Sequence, residues 1–242
     1  MPSTTVIVCA AGSGRRFQTS AGAHRNKLSA DLCGEPVLLR SIETAAAAPG
    51  VDRVLVAGPA EPAALTRFEE EFGGAIAARK GTIVAGGITE RYETVARALA
   101  RLPDEAEWVL VHDAARPCTP PEVFVRVIEA LSDAPAVVPA MGVADTLKRA
   151  RPAEGAIDQL QVARTEDRAG IHLAQTPQGF HRGVLEKAYK ATDLRSTDDA
   201  QLVERLGRPV LLVQGDPRNI KITRPEDLEL ARAIWPTLGL AP

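Results

Sequence analysis

The stretch TTVIVCAAGSGRRF, residues 4–17, joins an apolar, β-branched run directly to a glycine-rich turn. A continuous apolar run of this kind predicts a strand that is buried on both faces. Gly12 and Gly14 allow backbone N–H groups of the turn to approach phosphate oxygens closely. Arg15 and Arg16 follow at once, so the sequence predicts an anionic ligand at the carboxyl end of this strand.

Similar apolar runs recur along the first half of the chain, and helix-like stretches lie between them. The segments 89–102 and 120–131 both place apolar side chains on one helical face. Alternation of strands and helices predicts an α/β fold with a doubly wound, mostly parallel sheet. The predicted strands are RVLVAG at 53–58, TIVAGG at 82–87, WVLVHD at 108–113 and AVVPA at 136–140.

The pattern changes at residues 141–175, which contain short alternating pieces and many charges. We interpret this segment as an extended β-arm that is inserted within a single domain, residues 1–242. After it, the pattern predicts helices at 182–191, 198–207 and 224–235 and strands at 208–215 and 219–223. Thr119 and Thr223 are predicted to cap the helices that follow them, the second together with Glu226.

Composition excludes several classes of protein. Lys and Arg number 29 against 31 Asp and Glu, so the net charge of −2 argues against a nucleic-acid partner. No apolar run is long enough to span a bilayer, and no signal peptide is recognised at Met1. The three cysteines are widely spaced without a CxxC pair, which favours reduced thiols and a cytoplasmic location.

The glycine-rich turn differs from two common nucleotide-binding loops. Phe17 stands where the dinucleotide fingerprint needs its third glycine, which argues against a dehydrogenase, and no Gly-Lys-Ser/Thr of a Walker A loop follows. Arg15 and Arg16, with Lys27 further along, suit a triphosphate that loses its outer two phosphates.

Two more segments carry candidate site residues. In VLVHDAARP, Asp113 and Arg116 end a predicted strand, where a carboxylate can meet a metal ion or a hydroxyl and an arginine can meet a phosphate. Lys221 lies within the β-branched run NIKIT, and a buried ammonium needs an anionic partner. His112 shows no ligand spacing with the other histidines and is interpreted as a packed strand residue.

The order of these motifs resembles the 2-C-methyl-D-erythritol 4-phosphate cytidylyltransferase family over nearly the whole chain. The resemblance rests on AAGSGRRF with Lys27 and GEPVL, followed by GGITERYETV, VLVHDAARP, DTLKR, TPQGF, STDDAQLVE and NIKITRPEDL. It implies a Rossmann-like nucleotidyltransferase fold. It also implies transfer of a cytidylyl group from CTP to 2-C-methyl-D-erythritol 4-phosphate, which gives 4-diphosphocytidyl-2-C-methyl-D-erythritol and pyrophosphate for non-mevalonate isoprenoid synthesis.

Two alternatives stay open. A ribitol-5-phosphate cytidylyltransferase would use the same scaffold with another acceptor. A nucleotide-binding regulatory module would bind CTP without turnover, and failure to release pyrophosphate with any acceptor would favour it.

The resemblance implies roles for particular residues. It assigns catalysis to Arg16, Lys27 and Lys221. It implies a nucleotide-binding set that adds Ala10, Ala11, Gly12, Gly14, Gly87, Thr94 and Ala114 to these three. It implies an acceptor-binding set of Asp113, Arg116, Thr146, Arg168, Thr176 and Thr197.

The resemblance also implies Mg²⁺, held mainly by phosphate oxygens with Asp113 as a candidate protein ligand. It further implies a homodimer in which Thr146 and Arg168, on the arm, serve the site of the neighbouring subunit.

Overall fold

The structure is a computed structural model that describes residues 2–12, 27–153, 159–190 and 193–240. Its helices are α1 (Val37–Ala47), α2 (Pro62–Ala77), α3 (Arg91–Leu99), α4 (Pro121–Ala130), α5 (Arg182–Tyr189), α6 (Asp199–Arg205) and α7 (Pro225–Ile234). Its strands are β1 (Ser3–Cys9), β2 (Asp31–Leu32), β3 (Glu35–Pro36), β4 (Arg53–Gly58), β5 (Gly81–Ala85), β6 (Ala106–Asp113), β7 (Ala136–Gly142), β8 (Lys148–Pro152), β9 (Leu160–Thr165), β10 (His172–Ala174), β11 (Gln178–His181) and β12 (Leu211–Gln214).

Eight of the described strands form one main sheet, with the order β5-β4-β1-β6-β11-β7-β12 and with β10 also paired to β7, while β2 and β3 pair with each other. The pairs β5–β4, β4–β1, β1–β6 and β7–β12 are parallel, whereas β10 and β11 run antiparallel to their neighbours. The five runs predicted as strands at the start of the chain all lie in this sheet, which confirms the α/β prediction.

Helices cover both faces of the sheet, as the doubly wound prediction requires. Along β1, Val6 and Val8 pack on one face with Phe72 of α2 and Phe124 of α4. Ile7 points to the opposite face, where the core is built from α3, α5 and α6. Each central strand is therefore apolar on both sides, which explains its continuous rather than alternating pattern.

One hairpin leaves the main sheet. Strands β8 and β9 pair only with each other among the described strands, and their side chains are exposed along both strands. We call residues 148–153 and 159–166 the arm. The neighbouring strand β10 lies within the main sheet, so the part that leaves the sheet is shorter than the 141–175 segment chosen from sequence.

Three local predictions were wrong in detail. Residues 219–223 form no strand, because their backbone bonds to a loop: the Ile222 N–H donates to the Ala115 carbonyl at 2.8 Å. Helix α4 begins one residue later than predicted, and the Thr119 hydroxyl bonds to the Asn219 side chain instead of capping it. Asp227 rather than Glu226 completes the cap of α7, since it accepts from the backbone N–H groups of Thr223 and Arg224.

Within the described residues, none of the helices combines the length and apolar character that crossing a membrane demands.

Candidate active site

The strand order reverses at β1. Its parallel neighbours are β4 on one side and β6 on the other, and Cys9 at the end of β1 is in register with Asp113 at the end of β6. In open α/β sheets, such a switch point forms a crevice outside the carboxyl ends of the strands. The glycine-rich turn begins here, directly after β1.

A cavity of about 690 Å³ occupies this crevice. Residues from both halves of the chain line it, because the loops after β1, β5 and β6 and the segment before α7 converge at this edge. The lining residues are Cys9, Ala11, Gly12, Lys27, Leu28, Gly87, Ile88, Thr89, Glu90, Arg91, Thr94, Asp113, Ala114, Ala115, Lys221 and Thr223.

Asp113 is the centre of the charge network in this cavity. Its Oδ2 accepts from Lys221 Nζ at 2.8 Å and lies 3.7 Å from Arg116 Nε, while its Oδ1 accepts from Arg91 Nε at 3.3 Å. Burial acts to raise the pKa of the Asp113 carboxyl, but the charges of Arg91, Lys221 and Arg116 outweigh burial and hold this pKa well below its usual range. Asp113 is therefore ionised, and both of its oxygens are held in place.

The cationic side chains that line the cavity come from distant parts of the chain. Lys27 follows the turn after β1, Arg91 begins α3 and Lys221 precedes α7. These three cations face two acidic residues, Glu90 and Asp113, among the lining residues that the structure describes. The excess of positive charge suits an anionic ligand.

Lys27 and Lys221 lie on the same wall of the cavity, because Lys27 bonds to residues 219–223, the segment that was predicted as a strand. Lys27 Nζ donates to the Ile222 carbonyl at 3.4 Å, one residue from Lys221. Arg116 Nη1 donates to the Asn219 carbonyl at 2.7 Å and holds the same segment from the other side. The irregular backbone of residues 219–223 thus brings both lysines to one cavity.

The opposite wall is formed by the turn after β5. The Gly87 N–H donates to Thr94 Oγ1 at 3.0 Å, so the start of α3 holds this turn. A Cβ atom at Gly87 would lie 2.5 Å from the Glu93 Cβ and 2.6 Å from the Thr94 nitrogen. Only glycine fits at this position, because the turn and the helix approach too closely for a side chain.

Thr176 supports the site from behind. Its Oγ1 accepts from the Asp113 backbone N–H at 3.1 Å and bonds to His112 Nδ1 at 3.0 Å. His112 is fully buried, and burial lowers the pKa of its imidazole to about 3. His112 is therefore a neutral packed strand residue, as the sequence predicted.

The structure brings together most, but not all, of the residues expected at the site. Among the expected residues, Ala11, Gly12, Lys27, Gly87, Thr94, Asp113, Ala114 and Lys221 line the cavity, and Ala10, Arg116 and Thr176 lie directly behind lining residues. Thr146, Arg168 and Thr197 are exposed and do not line it. Gly14 and Arg16, and with them Arg15, lie outside the described residues.

Sequence reasoning missed Arg91. Its guanidinium contacts Asp113 and also donates from Nη1 to Asp199 Oδ2 at 2.6 Å. Burial acts to lower the pKa of Arg91, but the neighbouring carboxylates raise it well above its ordinary value. A cation directly after the Gly86–Gly87 turn, at the ligand-binding edge of a parallel sheet, was the signal that could have identified it.

The lining residues are suited to binding anions rather than to supplying a nucleophile. Burial raises the pKa of the Cys9 thiol to about 12, so this cysteine stays protonated at neutral pH. A ligand would therefore have to carry its own nucleophile, and the cations would stabilise negative charge that develops on it.

Known proteins share both the sequence and the structure of this chain. Residues 4–236 match the family described as IspD, 2-C-methyl-D-erythritol 4-phosphate cytidylyltransferase. A protein of that name from Frankia casuarinae is 42% identical over 96% of this chain and 81% of its own length. Another from Synechococcus sp. strain WH7803 is 41% identical over 95% of this chain and 97% of its own.

A solved structure of 2-C-methyl-D-erythritol 4-phosphate cytidylyltransferase from Thermus thermophilus has a TM-score of 0.73. It is 32% identical in sequence and covers 98% of this chain and 100% of its own. These matches extend over nearly the whole chain, and they confirm the resemblance seen in the motifs. The chain therefore belongs to the 2-C-methyl-D-erythritol 4-phosphate cytidylyltransferase family of nucleotidyltransferases.

Proposed function

We propose that the cavity at the carboxyl edge of the sheet is where this chain transfers a cytidylyl group from CTP to 2-C-methyl-D-erythritol 4-phosphate and releases pyrophosphate. The observation that carries this proposal is the convergence of Lys27 and Lys221 on one cavity whose opposite wall is the turn at Gly87. CTP between these walls would meet the cations with its triphosphate and the turn at Gly87 with its nucleoside.

Catalysis in this site is positioning together with charge neutralisation. The phosphate oxygen of the acceptor is already anionic at neutral pH, so it can attack the α-phosphorus of CTP in line without a general base. The bond from the α-phosphorus to the leaving pyrophosphate breaks, and negative charge builds on that pyrophosphate. Lys27 and Lys221, with Arg16 from the glycine-rich turn, neutralise this charge, and holding such donors in place before the reaction is worth several kcal/mol of barrier, roughly 10²–10³-fold per donor.

The cytosine and ribose lie against the wall formed by Gly87, Thr94 and Ala114. Ala114 follows Asp113 directly and offers only a methyl group, and its N–H donates to the Cys9 carbonyl at 3.4 Å. Ala10, Ala11 and Gly12 supply the backbone directly after β1, and we assign Gly14 to the same nucleotide-binding set from the sequence. This wall therefore binds the nucleoside mainly through backbone groups and one hydroxyl.

The acceptor lies against Asp113, whose carboxylate accepts a hydrogen bond from a hydroxyl of the polyol. Arg116 lies beside this carboxylate, and Thr176 holds the backbone of Asp113. Thr197, from the loop before α6, belongs to the same acceptor set. Lys221 Nζ is paired with Asp113 Oδ2 at 2.8 Å. A bound phosphate would compete with Asp113 for this lysine, and Asp113 would then be available to the acceptor.

Magnesium is the divalent cation that we propose for the reaction. Among the described residues, no group of three or more His, Cys, Asp or Glu side chains could hold a metal ion alone. Asp113 offers one carboxylate, which fits Mg²⁺ that is bound mainly to substrate phosphates. When bound, the metal would supply charge stabilisation at the phosphate oxygens.

A second copy of the chain would complete the assembly as a homodimer. Leu160 and Val162 on the arm are 74% and 57% exposed, and Leu173, Leu211 and Leu212 on β10 and β12 are also exposed. Large apolar residues that are exposed in this way favour a protein partner. In this arrangement, Thr146 and Arg168 at the base of the arm serve the site of the neighbouring subunit.

We also propose that the enzyme works in the cytoplasm. Cys9, Cys33 and Cys118 are all free thiols in the structure, as is usual in a reducing compartment.

Release of pyrophosphate by the purified chain tests the proposed function. The assay offers CTP, ATP, GTP and UTP in turn, each with 2-C-methyl-D-erythritol 4-phosphate or with ribitol 5-phosphate, in the presence and absence of Mg²⁺. We expect turnover only with CTP, the methylerythritol acceptor and Mg²⁺. Turnover with ribitol 5-phosphate alone would contradict the proposed acceptor. Binding of CTP without turnover on either acceptor would favour the alternative of a regulatory module.

A further inference from the structure

A buried carboxylate outside the cavity continues the charge network of the site. Asp199, the first residue of α6, is 1% exposed and does not line the cavity. Its Oδ2 accepts from Arg91 Nη1 at 2.6 Å, and its Oδ1 accepts from the Tyr189 hydroxyl at 2.5 Å. Both oxygens of this carboxylate are thus occupied, one by the last residue of α5 and the other by the first residue of α3.

These contacts form one continuous chain in which hydrogen-bond donors alternate with carboxylates. Tyr189 donates to Asp199, Arg91 bridges Asp199 and Asp113, and Asp113 accepts from Lys221 on its other oxygen. The series runs from a helix packed behind the sheet to the lysine on the cavity wall. A buried carboxylate such as Asp199 is costly unless it is paired, so this arrangement has one strongly favoured geometry.

The division of Arg91 between two carboxylates has a chemical consequence. Arginine pairs most strongly with a carboxylate through two parallel N–H···O bonds. Arg91 instead donates from Nη1 to Asp199 and only from Nε, at 3.3 Å, to Asp113. Without Asp199, Arg91 would be free to pair with Asp113 in the two-bond form, and that would withdraw Asp113 from Lys221 and from any ligand hydroxyl.

We propose that Asp199 and Tyr189 are positioning residues for the transfer reaction. They hold Arg91 so that it orients Asp113 without neutralising it fully. Tyr189 acts through Asp199, and Asp199 acts through Arg91, and neither touches the substrates. This inference rests on the proposed role of Asp113 as the residue that binds the acceptor hydroxyl.

The proposal differs in a measurable way from a purely structural role, in which Asp199 and Tyr189 only fasten α5 and α6 to α3. A structural role predicts lower thermal stability and equal losses toward both substrates. A positioning role predicts a loss concentrated on the acceptor. It also predicts that removing the Tyr189 hydroxyl has no further effect once Asp199 has lost its charge.

The test measures kcat and KM for both substrates in Tyr189→Phe, in Asp199→Asn and in the double variant. Since a hydrogen bond to a charged group is at stake, we expect Tyr189→Phe to lower kcat/KM for 2-C-methyl-D-erythritol 4-phosphate by about tenfold. We expect KM for CTP to stay within about twofold in this variant, and the double variant to match Asp199→Asn.

Tyr92→Phe is the matched control. It removes a hydroxyl one residue from Arg91, and that hydroxyl makes no hydrogen bond with any other residue that the structure describes. We expect it to keep the kinetics of the unaltered enzyme. Circular dichroism and Tm measurements identify variants that do not fold. If Asp199→Asn unfolds, Tyr189→Phe still tests the proposal, because it removes only a single oxygen atom.

Three results would overturn the proposal: Tyr189→Phe that behaves like Tyr92→Phe, effects that multiply in the double variant, or equal losses toward CTP and the acceptor. Absence of turnover in the unaltered chain would instead count against the proposed function itself. The two failures are therefore distinguishable.

Discussion

The cavity edge and the arm both contain an acidic residue shared between arginines, but they use it differently. At the edge, Asp113 lies among Arg91, Arg116 and Lys221, and the groups behind it are buried. On the arm, Glu166 is shared by Arg149 and Arg164, whose side chains are 63% and 65% exposed. The same chemical pairing therefore occurs once in a desolvated site and once in open solvent.

The difference teaches what each network can do. Exposed ion pairs contribute little to stability and their side chains can rearrange, so Glu166 fixes little by itself. A buried carboxylate that loses a partner costs about 3–5 kcal/mol, so each group at the edge is held in one position. The edge is built for fixed geometry, whereas the described residues of β8 and β9 on the arm are exposed and form no core of their own.

The largest expected effect comes from removing a cation of the edge. Lys221→Ala and Lys27→Ala should each lower kcat for pyrophosphate release by about 10²–10³-fold, because each removes a donor aimed at developing charge. The Tm should change by no more than about 4 °C, because neither lysine belongs to the apolar core and because Asp113 keeps Arg91 and Arg116 as partners when Lys221 is removed. Steady-state kinetics and thermal unfolding of the same preparations provide the measurement.

Lys187→Ala is the matched control, because this exposed lysine lies on α5 and does not line the cavity. It should retain full activity. Equal loss of folding and activity in Lys221→Ala would show that the edge serves stability rather than catalysis.

A substitution on the arm should have an intermediate effect. Val162→Glu places a charge on an exposed apolar strand, where burial of a valine against a partner is worth about 1.5–3 kcal/mol. We expect the proposed dimer to dissociate at concentrations roughly ten- to a hundredfold higher than for the unaltered chain, with secondary structure unchanged. Size-exclusion chromatography with light scattering measures this shift.

If the arm serves the neighbouring site, activity per chain should fall together with the fraction of dimer. A chain that is monomeric before substitution, or a monomeric variant with full activity, would contradict the assignment of Thr146 and Arg168 to the partner's site.

The smallest expected effect concerns Asp227, whose exposure is intermediate between that of Asp113 and that of the arm arginines. Asp227 accepts from the N–H and hydroxyl of Thr223 at 2.7 Å and from the Arg224 N–H at 2.8 Å. Burial acts to raise the pKa of Asp227, but these bonds outweigh burial and lower it from 3.8. Asp227→Asn should therefore destabilise the protein by about 1 kcal/mol, as is typical for loss of a helix cap.

The pH dependence of this effect has a definite sign. Because the folded-state pKa of Asp227 is lowered, its contribution is present above the ordinary value of 3.8 and is lost as pH falls through the folded-state pKa. The difference in denaturant midpoint between Asp227→Asn and the unaltered chain should be largest at pH 7 and should disappear in acid. A gap independent of pH would mean that ionisation of Asp227 is irrelevant to the cap.

The local sequence pattern predicted strands well where apolar neighbours pack on both faces of the strand. The runs at residues 53–58 and 108–113 became β4 and β6, because a strand buried on both faces must be apolar throughout. The same reasoning failed at residues 219–223, which are equally β-branched but find their hydrogen-bond partners in a loop. It also misassigned Thr119, whose hydroxyl bonds to the distant Asn219 and not to the helix that follows it.

By itself, the sequence determined the fold class, the family and the edge of the sheet where a ligand binds, because apolar periodicity and short motifs are local properties of the chain. Only the tertiary structure decided which charges meet there. Arg91 reaches Asp113 across 22 residues and Asp199 across 108, and Lys27 reaches Ile222 across 195. Such pairs leave no local signal, since a desolvated carboxylate takes its partner from whatever cation the packed sheet and helices bring within reach.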